Sequence, residues 1–364
     1  MTTKHMAGPA VAMLRAAIIG LTNIGAQRAN ASAQAARSAY GLIPQSHAAA
    51  YHQHPRTELV AVCDLRPELL DRFRHTWQDI WPNLRYYTDA EALLAAEQPD
   101  LVSIVTPDHL HAGLTVAAAQ GGARAILCEK PLATTLADAD RMIAAAAAHG
   151  ALLSVEHTRR WQPIYRTARD LLRSGELGAL RSMTTSMFSP RAMLFRNGAH
   201  MVDMLHFLAG SEARWVWAEL EAGYEGYDHY RGDGGHDPAS EPAAAGYLHF
   251  ANGVRAHYES AKTPYTDAQF TLTCDHGRVE LSDQTLTVVR PTAVGLERTP
   301  VTPTPMAMPG LLGAVDELVQ VMEHGGELVS SGHSARQTVE VLLAMLRSHA
   351  QGNVRVNLPL SEEK

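Results

Sequence analysis

The chain is 364 residues long, carries a formal net charge of −7 at pH 7 and is 46% hydrophobic. This length exceeds what one hydrophobic core usually organises, so we expect two domains. Because the chain has no basic excess and no cluster of lysines and arginines, we expect no nucleic acid among its partners.

The cysteines and the longest apolar runs bear on the compartment. Cys63, Cys128 and Cys274 are far apart and form no spacing typical of a metal site or a redox pair, which indicates buried thiols in a reducing compartment. No apolar run is long enough to span a bilayer, and Arg15 interrupts the N-terminal apolar stretch too early for a secretion signal. We therefore predict a cytoplasmic protein without a membrane partner.

Between Leu14 and Pro131, short apolar runs alternate with helical patterns, which is typical of a parallel sheet with crossover helices. The pattern predicts an α/β Rossmann domain over residues 14–133. Its predicted strands are Ala16–Ile19, Leu59–Cys63, Leu101–Val105 and Ala125–Cys128, and its predicted helices are Glu68–Trp77, Asp89–Glu97 and His111–Gln120.

The second half of the chain has a different pattern. From Leu180 to Val289, β-branched and aromatic residues alternate in several runs, which indicates one large antiparallel sheet. We therefore predict an α+β domain over residues 134–360, built on a large, open, mainly antiparallel sheet. The other predicted elements are helices Leu136–His149, Pro163–Ser174, Leu311–His324 and Ser334–Gln351 and strand Ala151–Val155.

The segment from Gly223 to Pro242 is rich enough in Gly, Asp and Pro to form a long loop. Its acids and histidines match no established spacing of oxygen ligands, so we predict no metal site. The alternatives left for it are a solvated loop and a loop that covers the substrate. The residues concerned are Asp228, His229, Asp233, His236 and Asp237.

The sequence GLTNIG directly follows the first predicted strand and precedes an Ala-rich helical stretch. Amides at such a turn and the dipole of the following helix bind a diphosphate, so this context predicts a dinucleotide site. Gly20 forms the tight turn and Gly25 the close helix–strand contact, while a threonine occupies the place of the middle glycine. The predicted cofactor contacts here are Gly20, Thr22, Asn23, Ile24 and Gly25.

Asp64 ends the second predicted strand, LVAVCD, where an acid accepts both ribose hydroxyls of NAD and repels a 2′-phosphate. An Ala/Ser-rich insertion between Ala33 and Ser46 places it farther from the glycines than the usual spacing. Arg66, two residues later, weakens the discrimination. We predict NAD as the cofactor, with NADP the less favoured alternative.

Further blocks of sequence follow one another in an order that resembles the Gfo/Idh/MocA family, the relatives of glucose–fructose oxidoreductase and inositol dehydrogenase. The resemblance implies an NAD-dependent oxidoreductase with a Rossmann domain and a substrate-binding domain that also forms a homodimer or homotetramer. The blocks are GLTNIG, SHAAAYHQHPRTELVAVCD, TPDHLHA, CEKP, RRWQPIY with SGELG, GAHMVDMLHFLAG and FANGVRA.

By this resemblance, the lysine of CEKP, Lys130, lies beside nicotinamide and substrate, and Glu129 positions its turn. The histidine of GAHMVDMLHF, His200, is the implied general base, a role that suits a neutral imidazole. Asp203, three residues later on the same helix, is expected to orient its ring or to cap the structure. Thr106, Pro107 and Asp108 end the fourth predicted strand, where the family contacts the nicotinamide half of the cofactor, and His111 is a further predicted cofactor contact.

The resemblance also places Arg160 and Trp161 along the substrate pocket, although packing is an equally good interpretation for the indole. Four residues before His200, the dehydrogenase pattern has an aspartate and this chain has Arg196. A permanent cation there is expected to change what the pocket accepts, in favour of a carboxylate or phosphate group. The predicted substrate contacts are Lys130, Arg160, Trp161, Arg196 and His200.

The leading hypothesis is therefore NAD(H)-dependent oxidation or reduction of a secondary alcohol on a sugar, cyclitol or derivative, with Lys130 and His200 as the catalytic pair. Two alternatives stay open at this point: a non-catalytic NAD-binding sensor or regulator, and an NAD-assisted glycosidase.

Overall fold

The computed structural model of the chain describes residues 12–28, 37–38, 41–42, 44–233, 235 and 237–361. Up to residue 155 the chain alternates strands and helices. In order these are β1 (Leu14–Ile19), α1 (Asn23–Ala26), β2 (Arg37–Ser38), β3 (Gly41–Leu42), α2 (His47–Gln53), β4 (Thr57–Cys63), α3 (Pro67–Trp77), β5 (Arg85–Tyr87), α4 (Ala90–Glu97), β6 (Leu101–Ile104), α5 (His111–Gln120), β7 (Ala125–Cys128), α6 (Leu136–Ala148) and β8 (Leu152–Val155).

Six of these strands form a parallel sheet in the order β5-β4-β1-β6-β7-β8. Strands β6 and β7 are buried at every residue, because helices cover both faces of the sheet. The chain runs from β1 towards β4 on one side and then returns to β6 on the other. The carboxyl ends of β1 and β6 therefore flank the point where such sheets bind their ligands.

The second half of the chain is built on a larger sheet. Its elements are α7 (Pro163–Arg173), β9 (Leu180–Ser189), α8 (Asn197–Ala209), β10 (Ala213–Leu220), β11 (Ala244–Phe250), β12 (Arg255–Lys262), β13 (Asp267–Cys274), β14 (Gly277–Ser282), β15 (Leu286–Thr292), β16 (Gly295–Pro300), α9 (Leu311–His324), α10 (Gly332–Ala350) and β17 (Val356–Asn357).

Nine strands of this half pair in the order β16-β15-β14-β13-β9-β12-β11-β10-β17. All neighbours are antiparallel except β9 and β12, which run parallel. Helix α8 packs into the core of this unit. Along Gly198–Ala209, His200 is the residue that keeps partial exposure. The architecture confirms the predicted Rossmann unit followed by a mainly antiparallel open sheet.

Helices α9 and α10 return to the first sheet. Leu311, Val315 and Leu318 of α9 share one hydrophobic core with β1, and Ala335 and Val339 of α10 share another with β6 and β7. Strand β8, which lies past residue 133, adds the sixth strand to the parallel sheet. The domain boundary between residues 133 and 134 stays a prediction.

The structure adds elements that the sequence pattern does not indicate. β5 is a three-residue edge strand, too short for alternation to be detected, and β16 is exposed at every residue and ends at Pro300. The helix after the glycine turn is a single turn that ends at Ala26. In the described part of the chain, no helix is both long enough and apolar enough to cross a membrane.

Candidate active site

The turn after β1 has the geometry that a dinucleotide requires. Gly20 adopts a φ of +100°, and a Cβ at that position would lie 2.4 Å from the carbonyl oxygen of Val105. A Cβ at Gly25 would lie 2.4 Å from the carbonyl oxygen of Gly20. Both positions therefore exclude a side chain, Gly20 because the turn is tight and Gly25 because helix and strand are in close contact.

Thr22, which takes the place of the middle glycine, is the N-cap of α1 with a φ of −70°. Any residue adopts this conformation, so the backbone does not need glycine here. The three residues Thr22, Asn23 and Ile24 form the outer side of the turn, and Asn23 and Ile24 are exposed. Since α1 has four residues, the amides offered to a diphosphate belong to the turn itself.

Asp64, at the end of β4, is tied to this turn. The Leu21 amide donates to its Oδ2 at 2.8 Å, and the Arg66 amide donates to its Oδ1 at 3.0 Å. The Arg66 Nε lies 3.6 Å from the same carboxylate. The acid is thus fixed beside the glycine turn, where the ribose hydroxyls of a dinucleotide bind.

The residues after β6 divide into two groups. Pro107 is exposed and Thr106 is half-buried. The hydroxyl of Thr106 is nevertheless enclosed and has no hydrogen-bond partner. The His111 ring is fully buried, with its nitrogens 3.0 Å from the carbonyl oxygens of Pro131 and Thr106. Both ring nitrogens of His111 therefore contact backbone carbonyls, and the ring links two loops. These contacts take the place of the cofactor contact predicted for His111.

Lys130 lies after β7 and reaches across to the second unit. Its Nζ donates to the carbonyl oxygen of Arg196 at 2.9 Å, at the start of α8. Burial, reinforced by the positive charge of Arg196, lowers the pKa of Lys130 to about 8. Glu129 accepts the Lys130 amide at 3.2 Å and lies 3.3 Å from the His47 Nε2. Its carboxylate therefore stabilises the turn, as the sequence predicts.

His200 belongs to the same electrostatic cluster. Burial lowers the pKa of His200 well below its usual range, and the charges of Lys130, Arg159 and Arg196 lower it further. Its Nδ1 is buried and has no hydrogen-bond partner. The ring is consequently neutral and carries an enclosed nitrogen that the protein does not satisfy.

Asp203 does not orient His200. Its carboxylate accepts two hydrogen bonds from Arg160, at 2.9 and 2.7 Å, and lies 3.2 Å from the Nδ1 of His157. All three side chains are buried. Arg160 is thus an internal ion-pair partner, and the structure does not place its guanidinium in the cleft as a substrate contact.

Trp161 also lies away from the cleft. Trp161 is 1% exposed and packs in the core formed with α9. A Cβ added at Gly313 would lie 3.1 Å from the Cβ of Trp161. The packing interpretation of this side chain therefore agrees with its position better than stacking on a sugar ring does.

Arg196, which takes the place of the family aspartate, is neutralised inside the protein. Its guanidinium forms a bidentate pair with Asp108, from the end of β6, and its Nε lies 3.2 Å from Glu241 Oε1. Tyr230 donates to the same Asp108 and stacks on Phe195 with ring centroids 3.8 Å apart. Because two acids already hold this cation, it does not offer the anion site expected from the sequence.

The loop between Gly223 and Pro242 closes over this cluster. The His109 amide donates to the carbonyl oxygen of Gly232 at 3.1 Å, so the loop reaches the strand-end edge of the first sheet. A Cβ at Gly235 would lie 2.8 Å from the Arg196 side chain. The loop therefore packs against Arg196 and the edge of the first sheet, and its covering of a substrate stays a prediction. Among the described residues no metal-binding cluster of acids, histidines and cysteines is found, and His236 lies outside them.

A cleft of about 390 Å³ opens between the two units, and Ile24, Gln45, Glu156 and Asp283 lie on its wall. Glu156 directly follows β8 and is 3% exposed. Burial, together with the negative charge of Glu129, raises the pKa of Glu156 to about 8. The cleft wall therefore holds a carboxyl group that is largely protonated at neutral pH.

Several buried polar atoms of residues near Lys130 and Arg196 have no hydrogen-bond partner in the protein. Such atoms are rare in folded proteins, and ordered water, an ion or a bound polar molecule usually satisfies them. Together with the glycine turn and Asp64, they fit a dinucleotide and a hydroxylated substrate. The atoms are Thr106 Oγ1, Glu156 Oε1, His157 Nε2, His200 Nδ1 and Glu241 Oε2.

Comparison with known families agrees with this geometry. Residues 14–157 match the model described as an oxidoreductase family with an NAD-binding Rossmann fold, and residues 165–280 match the model of the GFO/IDH/MocA C-terminal domain. The chain belongs to the Gfo/Idh/MocA family. The match confirms the resemblance seen in the sequence blocks and the assignment to an oxidoreductase family.

Individual members of the family give a finer comparison. D-apiose dehydrogenase from Paraburkholderia graminis is 37% identical over 189 residues, which cover 48% of this chain and 49% of that protein. The chain spans about half the length of the curated relatives it matches.

Solved structures match over a longer stretch at lower identity. Aldose-aldose oxidoreductase from Caulobacter crescentus, complexed with glycerol, has a TM-score of 0.74 at 22% identity, over 95% of this chain and 100% of that one. The WlbA dehydrogenase from Bordetella pertussis, in complex with NADH and UDP-GlcNAcA, has a TM-score of 0.71 at 21% identity, over 96% and 100%. At these identities the likeness shows the fold.

Sequence reasoning missed several residues of the cluster. Glu156 and His157 come directly after the strand predicted at Ala151–Val155, at the same sheet edge as Lys130, and polar residues in that position were the available signal. For Glu241 and Tyr230 the sequence held no signal, because a long irregular loop brings them to Arg196.

Proposed function

We propose that the protein is an NAD(H)-dependent dehydrogenase that moves a hydride between nicotinamide and a secondary alcohol of a sugar, cyclitol or related polyol. The observation that carries this proposal is the meeting of Lys130 and His200, from different units, in one electrostatic cluster at the carboxyl edge of the parallel sheet. The name of the apiose relative agrees with a polyol substrate.

The residues that would hold the cofactor are those of the turn between Gly20 and Gly25, with Asp64 for the ribose and Thr106, Pro107 and Glu129 towards the nicotinamide. When bound, the nicotinamide supplies the carbon that accepts or releases the hydride. Asp64 supports NAD over NADP, because a 2′-phosphate would meet its carboxylate. Arg66 already contacts that carboxylate, which leaves it less available for a phosphate.

Lys130 and His200 would handle the reacting hydroxyl. The Lys130 ammonium uses one donor on the Arg196 carbonyl and has two more for the substrate oxygen, whose developing negative charge it stabilises. His200, neutral because of its surroundings, takes the hydroxyl proton as the hydride leaves.

The charges around the cleft favour an uncharged substrate. Arg196 is paired with Asp108 and Glu241, and Arg159 forms a bidentate pair with Asp283, at 2.9 and 2.8 Å. Neither arginine is therefore free to balance a carboxylate or phosphate, and the free donors of Lys130 are used on the reacting hydroxyl. A neutral aldose or cyclitol therefore fits this cleft better than a sugar acid.

A substrate screen tests the proposal. The full chain would be incubated with D-apiose, myo-inositol, a panel of aldoses and the matching sugar acids, each with NAD and with NADP, and reduced cofactor would be read by absorbance. We expect turnover with neutral polyols and NAD, and little with the acids. NAD binding without turnover of any compound would favour a sensor, and release of a sugar without net NADH would favour glycoside cleavage.

The compartment and the assembly belong to the same proposal. All three cysteines are free and buried, which supports a location in the reducing cytoplasm. A homodimer or homotetramer stays a prediction from the family resemblance.

A further inference from the structure

His157 follows β8 and lies beside the proposed catalytic pair. It is 1% exposed, and its Nδ1 lies 3.2 Å from Asp203 Oδ1 and 3.1 Å from Ser330 Oγ. Its Nε2, at the other side of the ring, is buried and has no partner. Nδ1 therefore lies between a carboxylate and a hydroxyl, and Nε2 is left without a partner in the protein.

His200 presents the complementary group. The rings of His157 and His200 lie edge to face, with centroids 6.3 Å apart and planes at 82°. Since each ring nitrogen is about 1 Å from its centroid, the two nitrogens are at least about 4 Å apart, too far for a direct hydrogen bond. Both His157 Nε2 and His200 Nδ1 lack a partner in the protein, and a water molecule within hydrogen-bond distance of each would satisfy both.

The charges around the two rings differ in sign. At His200, the neighbouring groups Lys130, Arg159, Arg196 and His157 all oppose a positive ring. At His157, burial lowers the pKa to about 4, with Arg160 and Lys130 acting in the same direction and the carboxylates of Asp203 and Glu129 acting against it. Of the two histidines, His157 is the one with acids placed to stabilise an added proton.

We propose that His157, held between Asp203 and Ser330, is a positioning residue for His200 and the transient acceptor of the substrate proton, which it receives through His200 and one bridging water. This inference rests on the proposed dehydrogenase function. It also explains how the site works without the aspartate that Arg196 replaces, because the Asp203–His157 pair supplies an acid–histidine couple from another part of the chain.

The step balances as follows for oxidation of the alcohol. The substrate O–H bond breaks and its proton goes to His200 Nε2, while the C–H electron pair leaves as hydride to the oxidised nicotinamide and the C=O bond forms. The Nδ1 proton of His200 passes to the water, which gives a proton to His157 Nε2. His200 ends neutral, and the imidazolium forms beside Asp203. In reduction the same transfers run in reverse.

The first test needs no substrate. In the full chain labelled with ¹⁵N-histidine, we expect the His157 signals at neutral pH to show a protonated Nδ1 and a bare Nε2, assigned by their loss in His157→Asn. We expect His200 to show the same tautomer, assigned with His200→Asn. A protonated Nε2 on His157 would overturn the relay, whatever the protein oxidises.

The second test uses kinetics with NAD and the best polyol from the screen. His157→Asn keeps a donor for Asp203 but has no proton acceptor in the place of Nε2, and we expect kcat to fall about 10²-fold with KM and NAD affinity within about twofold. When kcat is measured in mixtures of H₂O and D₂O and plotted against the D₂O fraction, we expect a curved plot for the wild type, because more than one proton moves in the step. For the variant we expect a straight line.

His206→Asn is the matched control. His206 is also buried on α8 and also feels the charge of Asp203, but its Nδ1 bonds to the Val202 carbonyl and its ring packs edge-on against Phe250. Equal losses of kcat in both variants, or unchanged curvature in His157→Asn, would reduce His157 to a packing residue. Should His157→Asn not fold, His157→Gln replaces it with the same expectations for rate and curvature. If the wild type turns over no polyol, the proposed function fails, while the tautomer test still decides whether His157 Nε2 can accept a proton from His200.

Discussion

The two halves of the cleft are built by different means. On the cofactor side, two glycines that exclude a Cβ and one acid tied to a turn amide define the site, so the backbone carries most of it. On the substrate side, buried ion pairs such as Arg196–Asp108 and Arg160–Asp203 join residues far apart in the chain. A backbone site leaves a local sequence motif, whereas a network of side chains does not.

The largest expected effect separates chemistry from cofactor binding. Lys130→Met removes the cation that stabilises the developing alkoxide, so we expect kcat/KM for the best polyol to fall by roughly 10³-fold. NAD affinity, measured by quenching of tryptophan fluorescence, should change little if the cofactor side is independent. A parallel loss of NAD binding would show that the two halves are one site.

Breaking the substrate-side network should cost stability. Arg196→Met leaves Asp108 and Glu241 buried without their cation, and we expect the free energy of unfolding to drop by about 3–5 kcal/mol in a denaturant titration. Arg141→Met, which breaks the exposed pair with Asp138, is the control, with a change of about 0.5 kcal/mol or less. Similar losses in both variants would contradict the network.

Glu156 makes stability depend on pH. Because burial raises its pKa from 4.5 to about 8, the folded protein holds this proton more tightly than the unfolded chain, so stability falls as pH rises from about 4.5 through 8. Glu156→Gln has no such proton. We expect equal stability near pH 4.5 and a variant that is more stable at pH 8.5, on the order of a few kcal/mol, in thermal unfolding. Parallel curves would refute the shift.

On the cofactor side, Asp64→Ser removes the acid that accepts ribose hydroxyls. We expect NAD to bind about 10- to 100-fold more weakly and the preference over NADP to shrink by a similar factor. Asp64→Asn is the matched control, since its amide oxygen can still accept the Leu21 amide while the charge is lost. An unchanged ratio of the two affinities in both variants would remove Asp64 from cofactor selection.

The smallest expected effect concerns Thr22. Its φ of −70° needs no glycine, so Thr22→Gly should change NAD affinity by only about two- to fivefold, although it restores the full glycine motif. Gly20→Ala provides the contrast, because its Cβ would meet the Val105 carbonyl. A large gain from Thr22→Gly would mean that the threonine blocks the diphosphate.

How much the sequence predicts follows from the same contrast. Gly20, Gly25 and Asp64 were predicted from local pattern, because strand, turn and acid leave their spacing in the chain. The meeting of Lys130 with His200 was predicted only by resemblance, and the structure brings both into one cluster. Roles for their individual side chains stay predictions.

The substrate side shows what local pattern misses. Helical spacing put Asp203 three residues from His200, but α8 is enclosed by protein, and the carboxylate turns to Arg160 and His157. Likewise the charge of Arg196 was visible in the sequence and its neutralisation by Asp108 was not. Such pairings depend on tertiary distances that no spacing along the chain encodes.

The return of α9 to the first sheet has a consequence for biosynthesis. Leu311, Val315 and Leu318 complete a core that begins with Leu14 and Ile18, so the N-terminal half leaves the ribosome with an apolar surface that its own sequence does not cover. That surface stays open to chaperones, or to aggregation, until nearly the whole chain has been translated. A truncation before residue 311 would therefore destabilise the nucleotide-binding half as well, because it removes the helix that completes its core.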